Sequence, residues 1–369
     1  MQTMHRIFFD DSARLSFLSD ESVHLVVTSP PYPMIEMWDD MFSKMNPSIQ
    51  DALLKRDGDN AFELMHLELD RVWRELHRVL CRGGIACINI GDATRTMGDR
   101  FRLYPNYARI LHACHHIGFE VLPCIIWRKT ANAPTKFMGS GMLPAGAYVT
   151  LEHEYIQILR KGGKRSFVSE SDKRRRMESA IFWEERNRWF SDIWDFNGVS
   201  QNIENASSRT RSAAFPFELA YRLIQMNSVR EDTVLDPFLG TGVTTVAAIA
   251  SGRNSVGVEI DGALEPLIRK NISSAKTLAN ASIVQRIQEH ADFIARYTLE
   301  KGEAKHKNSV YGFPVVTSQE REMKFHLVDS IEYSGEGAEY RARYTPLENP
   351  LRLSFPIQPV ISDMIPLSE

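Results

Sequence analysis

No uninterrupted apolar run in the 369 residues reaches the roughly 20 that a membrane-spanning helix needs. The chain opens with no charged-then-apolar leader either, so a soluble, cytoplasmic protein without a membrane partner is expected. Cysteine is scarce: Cys81, Cys87, Cys114 and Cys124 stand in separate apolar contexts without CxxC spacing, which argues against a disulfide framework and against a zinc site. No metal is expected. Repeats of fixed period and extended low-complexity segments are absent as well. What is present, 43% hydrophobic and 25% charged residues, suffices for a full α/β core carrying one or two appended subdomains.

The pentapeptide Thr28-Ser29-Pro30-Pro31-Tyr32 closes an apolar, strand-like stretch from Val23 to Val27. Proline fixes its own φ and biases the preceding residue toward an extended conformation, so the Ser29 hydroxyl and the neighbouring carbonyls form a rigid set of acceptors. Such an array can grip an NH₂ group. Tyr32 adds a π-face on which a nucleobase can stack, for about 1–3 kcal/mol. Chemistry on the amino group of a flat base fits this set, and a proline-rich turn with a buried tyrosine is the plainer alternative.

Far downstream, Val234-Leu235 leads into Asp236-Pro237-Phe238-Leu239-Gly240-Thr241-Gly242-Val243-Thr244-Thr245 and an alanine-rich helical stretch. This reads as a strand, a glycine turn and a helix start. Gly240 and Gly242 permit a close backbone approach that a side chain forbids, and the helix start presents unpaired N–H groups. Glycine loops of this kind cradle cofactors. No Gly-Lys-Ser/Thr stands at phosphate-loop spacing, and a dinucleotide fingerprint wants three glycines, so nucleoside triphosphate and nicotinamide readings weaken. Asn254 to Ile260 reads as the next strand, and its acid, Glu259, stands where a carboxylate commonly binds ribose hydroxyls.

The TSPPY segment together with the DPFxGxGTT-like segment resembles the amino-methyltransferases that use S-adenosylmethionine on DNA, the cytosine-N4 and adenine-N6 group. The PPY motif comes first, as in the permuted order called the β class. Asp11-Ser12 after the first strand, His153-Glu154-Tyr155-Ile156 on a later one and Phe215-Pro216 before a helix extend the resemblance over roughly residues 5–275. Val243 departs from the threonine more common in the family.

The resemblance implies a Rossmann-like α/β methyltransferase sheet with an inserted target-recognition region and a small C-terminal appendage. It places the methionine end of the cofactor over Asp236, Pro237, Phe238, Gly240 and Gly242, with Thr244 or Thr245 reaching its carboxylate. Glu259 would take the ribose, Asp11 the adenine amine, and Ser12 and Phe215 would line the same pocket. Ser29, Pro30, Pro31 and Tyr32 would hold the target amine, with Tyr32 stacking on an extruded base. None of the four cysteines has the Pro-Cys context of carbon-5 cytosine methyltransferases, so ring-carbon chemistry is rejected. A serine before the two prolines goes more often with cytosine-N4 and an aspartate with adenine-N6. Ser29 therefore favours cytosine, with adenine the alternative. A non-catalytic DNA-binding subunit and an RNA or small-molecule amine substrate are carried beside these.

A net charge of −3 offers no general attraction to DNA, but positive charge concentrates from Arg160 to Arg188. Lys173-Arg174-Arg175-Arg176, Arg186 and Arg188 are the DNA-binding candidates, interleaved with Phe182, Trp183, Trp189, Phe190 and Trp194 and followed by Arg209 and Arg211. A solvated helix face with aromatic anchors is the alternative. The expected organisation is a catalytic half (1–160), a basic and aromatic insertion (161–211), a cofactor-binding half (212–296) and a β-rich tail (297–369). Helices are expected over Phe62–Leu80, ended by Gly83-Gly84, and over Tyr107–Ile117, with strands at Arg6–Phe9, Ile85–Ile90 and Glu120–Trp127. Val328–Tyr333 and Tyr340–Tyr344 are further strand candidates. Residues 129–148 read as either a lid or a plain connector. Duplex DNA is the expected partner of a monomer or homodimer, and a companion restriction endonuclease is carried as a further partner.

Overall fold

Val23, Leu25, Val26 and Val27 are buried on both sides, as expected of a strand covered by helices on either face. The computed structural model describes residues 1–129, 139–197, 215–335 and 338–348. Arg209 and Arg211, residues 130–138 and the end of the tail lie outside the described residues.

In chain order the strands are β1 (Gln2–Phe9), β2 (Val23–Thr28), β3 (Leu80–Ile90), β4 (Ala93–Met97), β5 (Arg100–Tyr104), β6 (Phe119–Arg128), β7 (His153–Lys161) and β8 (Ile193–Asp195). They continue with β9 (Thr233–Asp236), β10 (Asn254–Glu259), β11 (His306–Lys307), β12 (Pro314–Val315), β13 (His326–Tyr333) and β14 (Glu339–Pro346). The helices are α1 (Asp39–Met45), α2 (Pro47–Leu54), α3 (Gly58–Val79), α4 (Asn106–Ile117), α5 (Glu170–Glu178), α6 (Trp183–Trp189), α7 (Phe217–Asn227), α8 (Val243–Ser251) and α9 (Glu265–Lys301).

One sheet organises the molecule, with the order β13-β14-β1-β10-β9-β2-β3-β7-β6-β8. Its centre, β1-β10-β9-β2-β3, is parallel throughout. Parallel strands need crossovers, and the helices supply them on both faces. Helices α1 to α4 bury Phe42, Ile49, Met65, Trp73 and Ile110 on one side, and α7 to α9 bury Leu223, Val246 and Ile272 on the other. Because the five strands run the same way, their C-terminal ends share one edge. That edge carries Asp11, Glu259, Asp236, Ser29 and Gly91, and in open α/β sheets ligands bind there. Strand β7 runs antiparallel to β3, with Tyr155 opposite Ile90, so its first residues join the same edge.

Several expectations need correction. Helix α3, capped by the Asp57 side chain on the Asn60 N–H, starts at Gly58, ahead of the expected Phe62, and buries Ala61, Met65, Leu69, Val72, Trp73 and Leu76. Helix α3 ends at Val79, and Gly83-Gly84 lies inside β3. The 161–211 insertion is not separate from the sheet: β8 pairs with β6 as its last strand. The tail is likewise an extension of the sheet, since β14 pairs with β1 and β13 with β14, and α9 runs past the expected boundary to Lys301. No helix among the described residues is long and apolar enough to cross a membrane.

Candidate active site

Two loops meet at the shared edge. Strand β9 delivers Asp236, after which Gly240 (φ 55) and Gly242 (φ 87) turn the chain into α8 through left-handed backbone that glycine adopts at little cost. Strand β2 delivers Ser29-Pro30-Pro31. One hydrogen bond joins them: the Thr28 hydroxyl donates to Asp236 Oδ1 at 2.7 Å. Asp236 also accepts from the Thr244 hydroxyl at 2.6 Å and from the Phe238 N–H at 3.1 Å. Burial pushes its carboxyl up to about 6 despite these donors.

A cleft opens between the loops. Asp11, Ser12, Ser29, Pro30, Pro31, Phe215, Asp236, Pro237, Phe238, Gly240 and Glu259 all line it, so most of the residues singled out from the sequence converge there. Glu259 accepts the Gly240 N–H at 2.8 Å on one oxygen and the Asp261 N–H at 2.9 Å on the other, which fixes the carboxylate across the loop. Burial raises its pKa. The Ser12 hydroxyl is occupied in donating to the Pro237 carbonyl, so Ser12 braces the loop. Gly242, Thr244 and Thr245 do not line the cleft. Gly242 caps the start of α8, and the two threonines are buried in that helix, Thr244 turned to Asp236 and Thr245 to Ser255 Oγ at 3.4 Å. Thr241, just before the helix, and Val243, its first residue, line the cleft in their place. The opposite wall, Trp38, Met41 and Met45 beside Leu69 and Val72, comes from α1, its preceding turn and α3, and no motif in the sequence announces it.

Beside Ser29 lies a polar cluster built from three strands. The Tyr32 phenol donates to Glu154 Oε2 at 3.0 Å and accepts from Asn89 Nδ2 at 3.0 Å. Asn89 Nδ2 also donates to Glu154 at 2.6 Å, and Lys129 Nζ pairs with the other oxygen of Glu154. Tyr32 OH stands 3.2 Å from Ser29 Oγ. The single phenolic proton is committed to Glu154, so in this contact Ser29 donates and keeps its lone pairs for another partner. Burial, and next the Glu154 charge, raise the Tyr32 pKa well above its ordinary value, so the phenol stays protonated. Gly91 makes room for this arrangement, because a Cβ there would stand 3.1 Å from the Tyr32 ring and 3.3 Å from Glu154 Cγ. Behind it, buried Asn106 donates to the carbonyls of Pro33 at 3.1 Å and Gly91 at 3.0 Å, holding the catalytic turn against β3. Asn89, Lys129 and Glu154 are functional candidates that the sequence reading does not single out by role; only the position of Glu154 in the His153-Glu154-Tyr155-Ile156 stretch signals it. His153 packs edge-on against Tyr155 at 4.8 Å.

The basic candidates lie elsewhere. Arg165 grips Asp232 at 2.6 and 2.9 Å, and Arg175 reaches Glu231 at 3.3 Å, which sets α5 at the start of β9, the edge opposite the cleft. Lys173 pairs with Glu170, Arg175 with Asp172 and Arg188 with Glu289, while Arg176 lies over Phe167 and Arg186 over Phe190. Phe182, Trp189 and Trp194 are buried. Lys173, Arg174, Arg175, Arg176, Arg186 and Arg188 do not line the cleft. Among the described residues no cluster of His, Cys, Asp and Glu is suited to a metal ion.

A strand-edge cleft flanked by a glycine loop, a ribose-type acid and a rigid acceptor turn defines a group-transfer site for a nucleoside-bearing cofactor. The profile of a DNA methylase family, N6_N4_Mtase, matches residues 23–270. The chain is 52% identical over 328 residues to the type II methyltransferase M.MthZI of Methanothermobacter thermautotrophicus, covering 88% of this chain and 91% of that one. It is 49% identical over 281 residues to the type II methyltransferase M.MjaI of Methanocaldococcus jannaschii, covering 73% and 91%. TTHA0409 of Thermus thermophilus, a DNA modification methylase solved in complex with S-adenosyl-L-methionine, is 33% identical with a TM-score of 0.56, covering 73% of this chain and 95% of that one. The chain belongs to the N6/N4 DNA methylase family.

Proposed function

We propose that this methylase transfers a methyl group from S-adenosylmethionine to the exocyclic N4 amine of cytosine in duplex DNA, acting on a base turned out of the helix. The observation that carries the reading is the Thr28–Asp236 bond, which sets the amine-gripping turn and the cofactor loop against one cleft. The residues present fit the cofactor: Glu259 offers a fixed carboxylate for ribose hydroxyls, Phe215 and Phe238 offer faces for adenine and the methionine chain, and Thr241 offers a polar contact for the cofactor carboxylate. When bound, S-adenosylmethionine supplies an electrophilic methyl on a sulfonium sulfur.

An exocyclic amine is a weak nucleophile because its lone pair is delocalised into the ring. Ser29 Oγ and the Pro30 carbonyl, both acceptors, orient the amine protons and favour pyramidal nitrogen. As the N–C bond forms and the bond from the methyl carbon to sulfur breaks, the amine becomes cationic and must lose one proton. Ser29 takes it while passing its own to Tyr32, and Tyr32 passes its own to Glu154, so the proton ends on Glu154 and neutralises its carboxylate beside Lys129. Holding donor and acceptor in near-attack geometry accounts for several kcal/mol of the barrier. A target base inside a duplex cannot reach this recess, and extruding it costs a few kcal/mol. The uncharged Ser29, rather than an aspartate, favours cytosine.

The test is transfer of labelled methyl groups from S-adenosylmethionine to duplex DNA, with RNA of matching sequence as the control acceptor. Label in DNA that is lost in Ser29→Ala supports the reading. Label only in RNA overturns it.

A further inference from the structure

Residues 139–151, which lead into β7 at the catalytic edge, carry an exposed apolar tip. Its base is fixed, because the Lys129 N–H donates to the Glu152 carbonyl at 2.9 Å and Lys129 Nζ holds Glu154. Gly139 bridges to Ala147, the Ser140 N–H donates to the Gly146 carbonyl at 2.9 Å, and the Leu143 N–H donates to the Ser140 carbonyl at 3.2 Å, which closes the tip into a defined turn. Tyr148 stacks on Phe101 of β5 at 4.4 Å and braces the arm against the β4–β5 hairpin.

At the turn, Met142 is 79% and Leu143 71% exposed, and Pro144 and Ala145 are exposed as well. Residues 139–151 contain no charged side chain in a chain that is 25% charged. None of them lines the cofactor cleft. Large apolar side chains held in water at the edge where the target base enters call for a partner.

We propose that Met142 and Leu143 form a wedge that enters the base stack beside the target and fills the space the extruded base leaves. The proposal rests on the methylation reading above and deepens it. Extrusion leaves an apolar gap between two base pairs, and apolar side chains inserted between base steps are an established way to offset the unstacking cost. A charged tip would have to shed its hydration to enter that gap, whereas Met142 and Leu143 lose only contact with water. From Tyr148 to Leu143 the arm spans at most about 16 Å at strand rise, against a major groove about 8.5 Å deep.

The experiment compares the wild type with the double variant M142S/L143S on two duplexes that carry the protein's own methylation site, one fully paired and one lacking the base opposite the target. In the second, unpairing is already done. The expected result is a loss in kcat/KM of about tenfold or more on the paired duplex, with the second duplex restoring the variant to within about twofold of wild type. Leu143→Phe, which keeps a large apolar side chain, should retain activity on the paired duplex. Calorimetric cofactor affinity equal to wild type shows that the variant is folded. An equal loss on both duplexes, or no loss on either, overturns the wedge. So does a wild-type dimer that the variant dissociates without a change in the paired-to-unpaired ratio, since the tip would then serve a second copy of the chain. Failure of the wild type to methylate any duplex would overturn the methylation reading itself, and that result is visible before any variant is made.

Discussion

The Thr28 hydroxyl and the Asp236 carboxylate lie 208 residues apart in sequence and 2.7 Å apart in space. Thr28 ends the strand that presents the Ser29-Pro30-Pro31 turn, and Asp236 begins the glycine loop. In the proposed reaction this bond sets the distance between methyl donor and amine, the quantity on which a direct transfer depends most.

Thr28→Val removes that donor while Asp236 Oδ1 keeps the Phe238 N–H. The expected cost is about 1 kcal/mol of stability, together with a fall in kcat larger than the fall in cofactor affinity. Denaturant titration and single-turnover kinetics on one preparation measure both. Unchanged kcat would show that the bond does not set the reacting distance.

The Asp236 carboxyl has an ordinary value of 3.8 and burial raises it to about 6 in the folded chain. A raised carboxyl favours the protonated folded state, so its contribution is full below about 4 and is lost as pH rises through about 6. Wild type should lose stability relative to Asp236→Asn across that window, by on the order of 3 kcal/mol. Chemical denaturation of both proteins at several pH values decides the point, and a constant difference contradicts it.

Glu154→Gln preserves size and one acceptor but removes the charge that ends the proton path from Ser29. Transfer should slow by about tenfold to a hundredfold, within the range of general acid–base effects, while cofactor affinity stays near wild type. Tyr32→Phe should behave in the same way. Equal losses in cofactor binding would show that the cluster supports the cleft rather than the chemistry.

Lys173→Ala, Arg174→Ala and Arg176→Ala combined should leave DNA affinity within about twofold and the salt dependence unchanged, because α5 sits at the edge opposite the cleft. A slope reduced by about one per charge removed would place the DNA across α5.

Much of this site was legible in the chain. Ser29, Pro30 and Pro31 announce rigid acceptors through proline stereochemistry, and Asp236 to Gly242 announce a cradle through glycine and helix-start geometry; all but Gly242 and Thr244-Thr245 of the loop residues named reach the cleft as expected. What stayed hidden depends on tertiary neighbours. Thr244 and Thr245 carry the right hydroxyls, but the pitch of α8 turns them inward. Glu154 and Lys129 acquire a role only because β7 runs antiparallel to β3 and begins at the catalytic edge. The basic run was legible as charge alone; Glu170 and Asp172 pair with it locally, but Asp232, Glu231 and Glu289, which also pair with it, come from distant segments. The strands of the tail were visible as short apolar stretches. The pairing of β14 with β1 was not, since a register that joins segments so far apart in sequence leaves no local trace.

The most direct measurement is mass spectrometry of nucleosides from unmethylated duplex DNA incubated with the protein and S-adenosylmethionine. N4-methylcytosine is the predicted product. N6-methyladenine would contradict the assignment of Ser29 as the group that selects the base.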